Sequence, residues 1–349
     1  MTMLAELVDV VIGVDTHKHT HTAAVITAAT GAAVDRLSVA TDPNGYGDLV
    51  ALADRHSGLR AWSIEGTGSY GAGLVRYLAE RGEVVIELDR PGRKARRNGA
   101  KSDPIDAENA GREALAREHL AQPRATGERA ALTVLIAARR SAIDASTVAQ
   151  NQLQALVVTA PEILRDRFRR QSTAVMVMTA TRLRANRTFD VETAAYAAAL
   201  GDLARRIKTM QTEAAKHEKA ILAIIKTWRP DLLDEQGVGP IVAATVLCAW
   251  SHAGRFRDDA AFANLAGVAP IPASSGLTTR YRLNRYGDRQ LNWALHVVVL
   301  CRLRHDPATR AYAERRRAEG KTDREIKRCL KRYVARQLFR LLENPPPAP

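Results

Sequence analysis

The chain has 349 residues, of which 46% are hydrophobic and 26% charged, a composition typical of a globular protein with two or three domains. Its charge is unusual, because 52 Lys and Arg residues against 38 Asp and Glu residues give a net charge of +14. Such a surplus favours a polyanionic partner, most often nucleic acid, over the alternative of a basic protein without one.

The first 125 residues are predicted to alternate strands with helices. Three strands come first, in LVDVVIGVD, HTAAVITAA and TGAAVDRLSVAT, followed by a helix in DPNGYGDLVALADRH, a strand in LRAWSIE, a helix in SYGAGLVRYLAERG, a strand in EVVIELD and a helix in DPIDAENAGREALAREHL. Asp103 is the predicted N-cap of the last helix, with Pro104 at its first position. An antiparallel meander that leads into βαβ units is the order of a ribonuclease-H-like domain, here expected over residues 1–125.

Residues 126–228 contain two long helical stretches, at about 128–158 and 192–228. In the second stretch, a heptad pattern runs without a break from Leu200 to Trp228, with spacings that alternate between three and four residues. All of its positions are apolar except His217. Two such helices predict an antiparallel coiled-coil hairpin or a dimerising arm, with His217 as a polar residue that sets the register.

Residues 229–343 are predicted to form a mostly helical third domain. The stretch LLDEQGVGPIVAATVLCAW has the spacing of a helix-hairpin-helix, whose turn at Gly237 and Gly239 exposes N–H groups that hold phosphate; a plain helical hairpin is the alternative. A polar, basic stretch and two more helices follow. The Pro-rich tail, residues 344–349, is expected to be disordered.

Cysteine usage and hydropathy limit where the protein acts. The three cysteines, Cys248, Cys301 and Cys329, show no C-x-x-C spacing, which argues against a disulfide framework or a zinc site and fits a reducing cytoplasm. The first residues carry acids and no basic n-region, so no signal peptide is expected. No apolar run approaches the roughly 20 residues that a membrane span requires.

The stretch IEGTGSYG, residues 64–71, admits two interpretations. Gly66, Gly68 and Gly71 fit the dinucleotide fingerprint G-x-G-x-x-G, and acids that could bind a ribose, Glu87 and Asp89, follow about 20 residues later. However, the fingerprint belongs after the first strand of a Rossmann half and here follows the fourth. Glu65 directly before the glycines would also repel a pyrophosphate, so Glu65 is the better candidate for function. Thr67 stands where a nucleophile elbow around Ser69 needs glycine.

Four acids are predicted to meet in one cleft. Asp15 and Glu65 end strands that are neighbours in a ribonuclease-H-like sheet, and Asp103 and Asp106 share a face at a helix start. Converging carboxylates repel one another unless cations neutralise them, and hard oxygen ligands suit Mg²⁺ or Mn²⁺. Each acid alone would be interpreted as a cap or a surface charge. Together they predict a metal site for phosphodiester chemistry.

Two basic segments accompany these acids. Residues 89–103 supply candidate phosphate contacts at Arg93, Lys94, Arg96, Arg97 and Lys101. The stretch ASSGLTTRYRLNRYGDR places Ser274 and Ser275 before Arg280, Arg282, Arg285 and Arg289. A serine nucleophile held beside phosphate-binding arginines and a basic DNA-binding loop describe this stretch equally well.

Six motifs in one order resemble a known family. GVDTHK, IEGTGSYG, KSDPIDA, GVGPIVAATVL, LAGVAPIPASSG and RYGDRQL are similar to the DEDD transposases of insertion-sequence family 110, relatives of the Piv-type DNA invertases. The resemblance covers nearly the whole chain. It implies a RuvC-like domain, a coiled coil and a transposase domain, with the acids at Asp15, Glu65, Asp103 and Asp106 and the nucleophile at Ser275. Ser274 leaves that alignment slightly ambiguous.

The resemblance also implies partners. Family members form a phosphoserine link to DNA, assemble as dimers and tetramers, and use a structured bridge RNA to select donor and target DNA. A Mg²⁺-dependent or Mn²⁺-dependent DNA recombinase in the bacterial cytoplasm, associated with the nucleoid and not with a membrane, is therefore expected. A RuvC-like structure-selective nuclease without a serine intermediate and a non-catalytic nucleic-acid-binding protein are the alternatives.

Overall fold

A computed structural model describes residues 3–88, 102–184, 186, 188–273, 281–282 and 284–345 of the chain. It divides the chain into two compact units, Met1–Ala125 and Thr126–Pro349. The first unit is mixed α/β and the second almost wholly helical. Among the described residues, no helix combines the length and the apolar character needed to span a bilayer.

The first unit is built on a five-stranded mixed sheet. Its elements are β1 Val10–Thr16, β2 Thr20–Thr27, β3 Ala33–Ala40, α1 Pro43–Asp54, β4 Arg60–Glu65, α2 Ala72–Ala79, β5 Val85–Leu88 and α3 Asp103–Ala116. The strand order is β3-β2-β1-β4-β5, with β1–β2 and β2–β3 antiparallel and β1–β4 and β4–β5 parallel. This mixed sheet is compatible with a RuvC-like fold.

Burial in this sheet follows from its sequence. Val11, Ile12 and Val14 are fully buried, because β1 is the central strand and is covered on both faces. One face packs against α1 and α2 through Leu49, Leu74 and their neighbours, and the other against α3. The structure therefore places β1 at the centre of the unit and its carboxyl end beside the start of α3.

Two long antiparallel helices begin the second unit. They are α4 Glu128–Thr159 and α7 Val191–Trp228, with the short helices α5 Glu162–Arg165 and α6 Thr173–Thr181 between them. Leu132 near the start of α4 packs with Ile221 near the end of α7, whereas Leu153 packs with Leu200. Alternate positions of the predicted heptad pattern, Leu200, Ile207, Ala214 and Ile221, are buried. The positions between them, which include His217, are half-buried.

The rest of the second unit packs around one buried helix. Its elements are α8 Pro240–Trp250, α9 Asp259–Leu265, the two-residue strands β6 Ile271–Pro272 and β7 Tyr281–Arg282, α10 Arg289–His305, α11 Pro307–Ala318 and α12 Asp323–Glu343. Nearly every residue of α8 after Ile241 is buried, against α10, α12 and the start of α4. The three cysteines are free.

Three local predictions were wrong. The N-cap of α3 is Ser102, and Asp103 is already helical, because Pro104 is accepted at either of the first two positions of a helix. The element before Gly237 is a four-residue 3₁₀ turn, Pro230–Leu233, where a full helix was expected. Three helices, α10 to α12, follow the basic stretch instead of two, because Asp306 and Pro307 end one helix and cap the next.

Candidate active site

Two neighbouring strands place Asp15 and Glu65 at one edge of the sheet. Asp15 is the penultimate residue of β1 and Glu65 the last of β4, and these strands pair in parallel up to Val14 and Ile64. The hydroxyl of Thr16 donates a hydrogen bond of 2.9 Å to the carbonyl oxygen of Glu65. Because parallel strands end at the same edge, both acid-bearing residues stand where ligands bind to sheets of this kind.

A close contact between α3 and β1 brings the other two acids to this edge. A Cβ atom on Gly13 would lie 2.1 Å from the carbonyl oxygen of Ala107 and 2.5 Å from the nitrogen of Gly111, so only glycine admits the helix at this distance. The buried hydroxyl of Ser63 donates to the carbonyl oxygen of Ala110 at 2.8 Å. These contacts fix the helix whose first turn carries Asp103 and Asp106.

His17 joins two of the acids. Its Nε2 lies 3.1 Å from Oδ2 of Asp15 and 3.5 Å from Oδ1 of Asp103. Each of the three residues offers one potential ligand atom, and these atoms all lie within 4.8 Å of one another. In the part of the chain that the structure describes, this tight group includes neither Glu65 nor Asp106, although Asp106 lies near enough to Asp15 to raise the pKa of its carboxyl.

The electrostatics of the group disfavour an additional negative charge. Burial raises the pKa of Asp15 above its usual range, and the nearby charges of Asp106 and Asp103 raise it further, while His17 opposes them. The Asp15 side chain is only 13% exposed. A divalent cation would relieve both causes of this shift, because it replaces lost hydration and neutralises repelling carboxylates. The carboxylate oxygens of this group suit Mg²⁺ or Mn²⁺, and of these two ions Mn²⁺ accepts an imidazole nitrogen more readily.

The glycine motif after Glu65 forms a turn that is closed by internal hydrogen bonds. The carbonyl oxygen of Gly66 accepts hydrogen bonds from the nitrogen of Ser69 at 2.8 Å, from its hydroxyl at 3.0 Å and from the nitrogen of Gly71 at 3.2 Å. Gly66 has φ +71°, in the left-handed region that favours glycine. N–H groups used inside the turn are not offered to a pyrophosphate, which argues against a dinucleotide loop.

Sequence reasoning missed His17 as a candidate. It follows Asp15 by two positions in GVDTHK, and alternate residues of a strand project on the same side, so this spacing carried the signal. The strand assignment ended at Asp15 and therefore left His17 out. In the structure β1 ends at Thr16, and the nitrogen of His17 donates to the carbonyl oxygen of Thr20 at the turn into β2.

The predicted basic segments are only partly described. Arg93, Lys94, Arg96, Arg97 and Lys101 lie outside the described residues, as do Ser274, Ser275 and Arg280. Arg282, Arg285 and Arg289 are described and exposed. Tyr286, between the last two, is 94% exposed and was not singled out by sequence reasoning, although an aromatic residue among arginines is typical of nucleic-acid surfaces.

Residues on either side of Ser274 and Ser275 contact each other, and the chain between Pro272 and Tyr281 is called the serine-bearing segment here. Pro272 in β6 pairs with Tyr281 in β7. Further out, a Cβ atom on Gly287 would lie 2.3 Å from the nitrogen of Gly267, and the nitrogen of Asp288 donates to the carbonyl oxygen of Leu265 at 2.6 Å. The chain thus leaves and returns through a narrow neck formed by Gly267 and Gly287.

The two glycines of the predicted phosphate-binding turn have different surroundings. Gly237 has φ +88° and packs against Val298 and Cys301 of α10. Gly239 is exposed and precedes Pro240, the first residue of α8, so the first N–H of this helix is missing. Gly239 is therefore more accessible to solvent than Gly237, which is half-buried.

Comparison with known proteins gives two family matches. The family model described as "Transposase", of the DEDD IS110 type, matches residues 12–160. The model described as "Transposase IS116/IS110/IS902 family" matches residues 231–314. The first match contains Asp15, Glu65, Asp103 and Asp106, and the second contains the serine-bearing segment.

Curated relatives come from insertion elements of actinobacteria. The chain is 34% identical over 116 residues to the IS110 43.6 kDa protein of Streptomyces coelicolor, covering 33% of this chain and 29% of the relative. It is 29% identical over 146 residues to the IS900 42 kDa protein of Mycobacterium paratuberculosis, covering 41% and 37%. It is 25% identical over 123 residues to the IS116 44.8 kDa protein of Streptomyces clavuligerus, covering 34% and 31%. The matched region thus spans about a third of the length of these relatives.

Proposed function

We propose that this chain, which matches two transposase family models and resembles proteins of insertion elements, is an IS110-type, metal-dependent DNA recombinase that moves an insertion sequence. The observation that carries the proposal is the convergence of Asp15, His17 and Asp103 at the carboxyl end of the central strand. This position suits the cleavage of a phosphodiester, because negative charge grows on the phosphate oxygens during the reaction.

Within the first unit, Asp15, Glu65, Asp103 and Asp106 would hold Mg²⁺ or Mn²⁺. A cation bound there would polarise phosphodiester oxygens and stabilise the charge that develops on them. Nε2 of His17 lies 3.1 Å from Oδ2 of Asp15, so its N–H would donate to the carboxylate and orient it. The half-buried position of Asp15 limits the water that competes for its oxygens.

We propose Ser275 as the nucleophile, following the resemblance, with Ser274 as its neighbouring competitor. The serine oxygen forms a bond to phosphorus while the bond from phosphorus to the 3′ oxygen breaks, and the serine proton leaves with the departing 3′ hydroxyl. A 3′ hydroxyl on the partner strand then attacks the phosphoserine and regenerates the free serine. Arg280, Arg282, Arg285 and Arg289 would steady the phosphate in both steps.

The partners proposed for this chain are donor DNA, target DNA and a structured bridge RNA. Arg93, Lys94, Arg96, Arg97, Lys101, Gly237 and Gly239 are the remaining candidate contacts for nucleic acid. The proposed organisation is a RuvC-like domain over 1–125, a coiled-coil arm over 126–228, a transposase domain over 229–343 and a tail over 344–349. In a homodimer or homotetramer, the serine of one protomer would complete the acidic site of another.

The test uses the full chain purified with the RNA that is co-expressed from its own flanking DNA. Incubation with labelled element-end DNA and Mg²⁺ should yield a denaturant-resistant protein–DNA adduct and strand exchange. Ser275→Ala should remove both the adduct and the exchange, whereas Ser274→Ala should retain them. Asp15→Asn should lower the rate by at least about a hundredfold, since it removes a charged ligand of the site.

Other outcomes would point to other functions. Metal-dependent cleavage that persists in Ser275→Ala without any adduct would identify a nuclease that uses water. Binding of DNA or RNA without cleavage under any of these conditions would identify a non-catalytic binding protein. Either result overturns the recombinase proposal.

A further inference from the structure

A cationic cavity opens in the second unit beside the return strand of the serine-bearing segment. It has a volume of about 580 Å³ and lies between the backbone of Gly267–Pro270, β7 and the facing sides of α11 and α12. Seven Lys and Arg side chains line it and only one acid, Glu325, does so. Its volume lies within the roughly 300–1,000 Å³ of pockets that bind small molecules.

Part of this charge is neutralised from outside the cavity. Arg332 and Arg336 both contact Asp259 of α9, at 2.8 and 2.9 Å. Arg316 pairs with Glu319. These ion pairs hold the three arginine side chains in place in the wall of the cavity.

Three other cations of the lining form no ion pair with a described acid, although Lys321 and Arg328 lie near enough to Glu325 to lower the pKa of its carboxyl. Within the described ranges, no acid lies within ion-pair distance of Arg282, Lys321 or Arg328. Glu325, the one acid of the lining, instead accepts hydrogen bonds from the nitrogen and hydroxyl of Thr322 as part of the capping box of α12. The cavity therefore keeps an excess of positive charge that an anionic ligand would neutralise.

Two polar groups in the cavity wall are buried at a cost in free energy that an anionic ligand would offset. Nε of Arg316 is buried, and no described residue accepts its hydrogen bond. Burial, together with the charge of Arg328, lowers the pKa of Lys331, whose ammonium donates to Oδ1 of Asn292 at 2.9 Å. Like charges held together in this way favour a bound anion.

Two exposed aromatic rings distinguish this cavity from a plain anion site. Tyr281 and Tyr333, which both line it, are 64% and 54% exposed. Bases stack on such rings when they are not paired in a duplex, and cations beside the rings hold the backbone. Rings and cations in one cavity fit a nucleic-acid strand better than a free phosphate, which offers nothing to stack.

We propose that this cavity binds the phosphodiester backbone of an unpaired nucleic-acid strand, with its bases against Tyr281 and Tyr333. The inference rests on the proposed function, and it adds a strand-binding site on α11 and α12 to the candidate contacts of that function. Since Tyr281 and Arg282 follow the serine-bearing segment in the chain, a strand bound here is held by the same protein segment that carries the serine.

The experiment measures binding without requiring catalysis. Full-length Ser275→Ala protein in EDTA is titrated against fluorescein-labelled single-stranded DNA, single-stranded RNA and duplex DNA of equal length. The double variant Lys321→Ala/Arg328→Ala should bind single strands at least tenfold more weakly. The slope of log affinity against log salt should fall by about 1.4, because two phosphate contacts are lost.

Matched variants separate the cavity from general charge. Arg206→Ala/Lys208→Ala removes two exposed cations from α7 and should change single-strand affinity less than twofold. Tyr333→Leu should weaken single-strand binding about tenfold and leave duplex binding unchanged, because only unpaired bases stack. Circular dichroism and thermal unfolding of each variant check that it folds. Charge reversal by Lys321→Glu/Arg328→Glu should have a larger effect than the alanine pair.

The outcomes distinguish this inference from the proposed function. Equal affinities for single strands in the wild type and both double variants of the cavity would overturn the inference, even if the protein recombines DNA. An equal loss for single-stranded and duplex DNA in Tyr333→Leu would also overturn it. Selective loss in the cavity variants supports the inference even if no adduct forms, and the DNA and RNA arms then show which strand it holds.

Discussion

In each unit, a pair of glycines lets backbone touch backbone next to a candidate functional segment. In the first unit, Gly13 and Gly111 press α3 onto β1, and the acids stand on the elements so joined. In the second, Gly267 and Gly287 close a neck, and the serine lies in the chain between them. The first contact orients side chains directly, whereas the second fixes only the ends of the segment.

The surroundings of the two contacts differ as well. The Gly13 contact lies beside the fully buried side chains of Ile26 and Ala107, so a change there disturbs a packed core. The Gly287 contact is supported by hydrogen bonds. One of them runs from Nδ2 of Asn292 to the carbonyl oxygen of Ala266 at 2.8 Å. A metal site needs fixed ligands, and a packed sheet supplies them better than a hydrogen-bonded neck.

The largest expected effect is that of Gly13→Ala. The new methyl group would meet backbone atoms that cannot rotate away, so we expect the first unit to lose about 3 kcal/mol or more of stability. Hydrogen exchange of β1 and α3 in the full chain measures this loss. Gly68→Ala, where no atom lies within 4 Å of the added Cβ, is the matched control and should change little.

Gly287→Ala should have a smaller and more local effect. Its methyl group would clash with the nitrogen and Cα of Gly267, but a hydrogen-bonded neck can shift, so we expect a loss of about 2 kcal/mol. DNA adduct formation should fall, while Mn²⁺ binding, followed by the electron paramagnetic resonance of the ion, should not change. Loss of Mn²⁺ binding in Gly287→Ala would contradict the view that only the Gly13 contact positions the metal ligands.

His17→Ala tests the fixed ligands of the first contact. Because His17 orients Asp15 and lies within reach of Asp103, we expect about tenfold weaker Mn²⁺ binding. His19→Ala, exposed at the turn into β2, serves as the control. Unchanged Mn²⁺ affinity in His17→Ala would mean that the imidazole contributes nothing to the site.

The smallest effect concerns pH and compares one carboxylate in each unit. Arg60 and the indole N–H of Trp62 hold the pKa of Glu83 below its ordinary value of 4.5, and Arg336 and Arg332 do the same for Asp259. A lowered folded-state pKa means that each stabilising contribution is present above the ordinary pKa and is lost as the pH falls through the folded-state value.

Glu83→Gln should therefore lower the free energy of unfolding of the first unit by about 1 kcal/mol at pH 7. It should also make that free energy depend less on pH in the acid range. Asp259→Asn should reduce the pH dependence of the second unit's stability by a smaller amount, because the Asp259 side chain is more exposed than the Glu83 side chain. Urea unfolding followed by hydrogen exchange between pH 3 and 7 gives both curves. A larger acid effect in Asp259→Asn would contradict this ranking.

The order of elements in the first unit could be predicted because each strand is a local apolar run that ends at a turn residue. Adjacency of the strands carrying Asp15 and Glu65 followed from that order, and the sheet has it. The contact that brings α3 to β1 could not be predicted, because Gly13 and Gly111 are far apart in sequence and neither belongs to a recognisable pattern by itself.

The second unit was harder to predict for the same reason. The heptad pattern of α7 is local and indicated a long helix with a buried side. The cavity cations come from β7, α11 and α12, and each of those stretches by itself reads as a solvated charged surface. Tertiary packing gathers them, including the contacts of Arg332 and Arg336 with Asp259, which join residues more than 70 positions apart.

The antiparallel course of α4 and α7 has a consequence for how this chain can vary in length. The chain leaves the core of the helical unit near Leu132 and re-enters it near Ile221 and Ile225, so the short helices α5 and α6 lie at the distal end of the pair. Removing or adding one heptad in both helices together would move that end by about 10 Å and preserve the buried side of each helix. Homologues can therefore differ in the reach of this pair while the contacts around α8 stay the same.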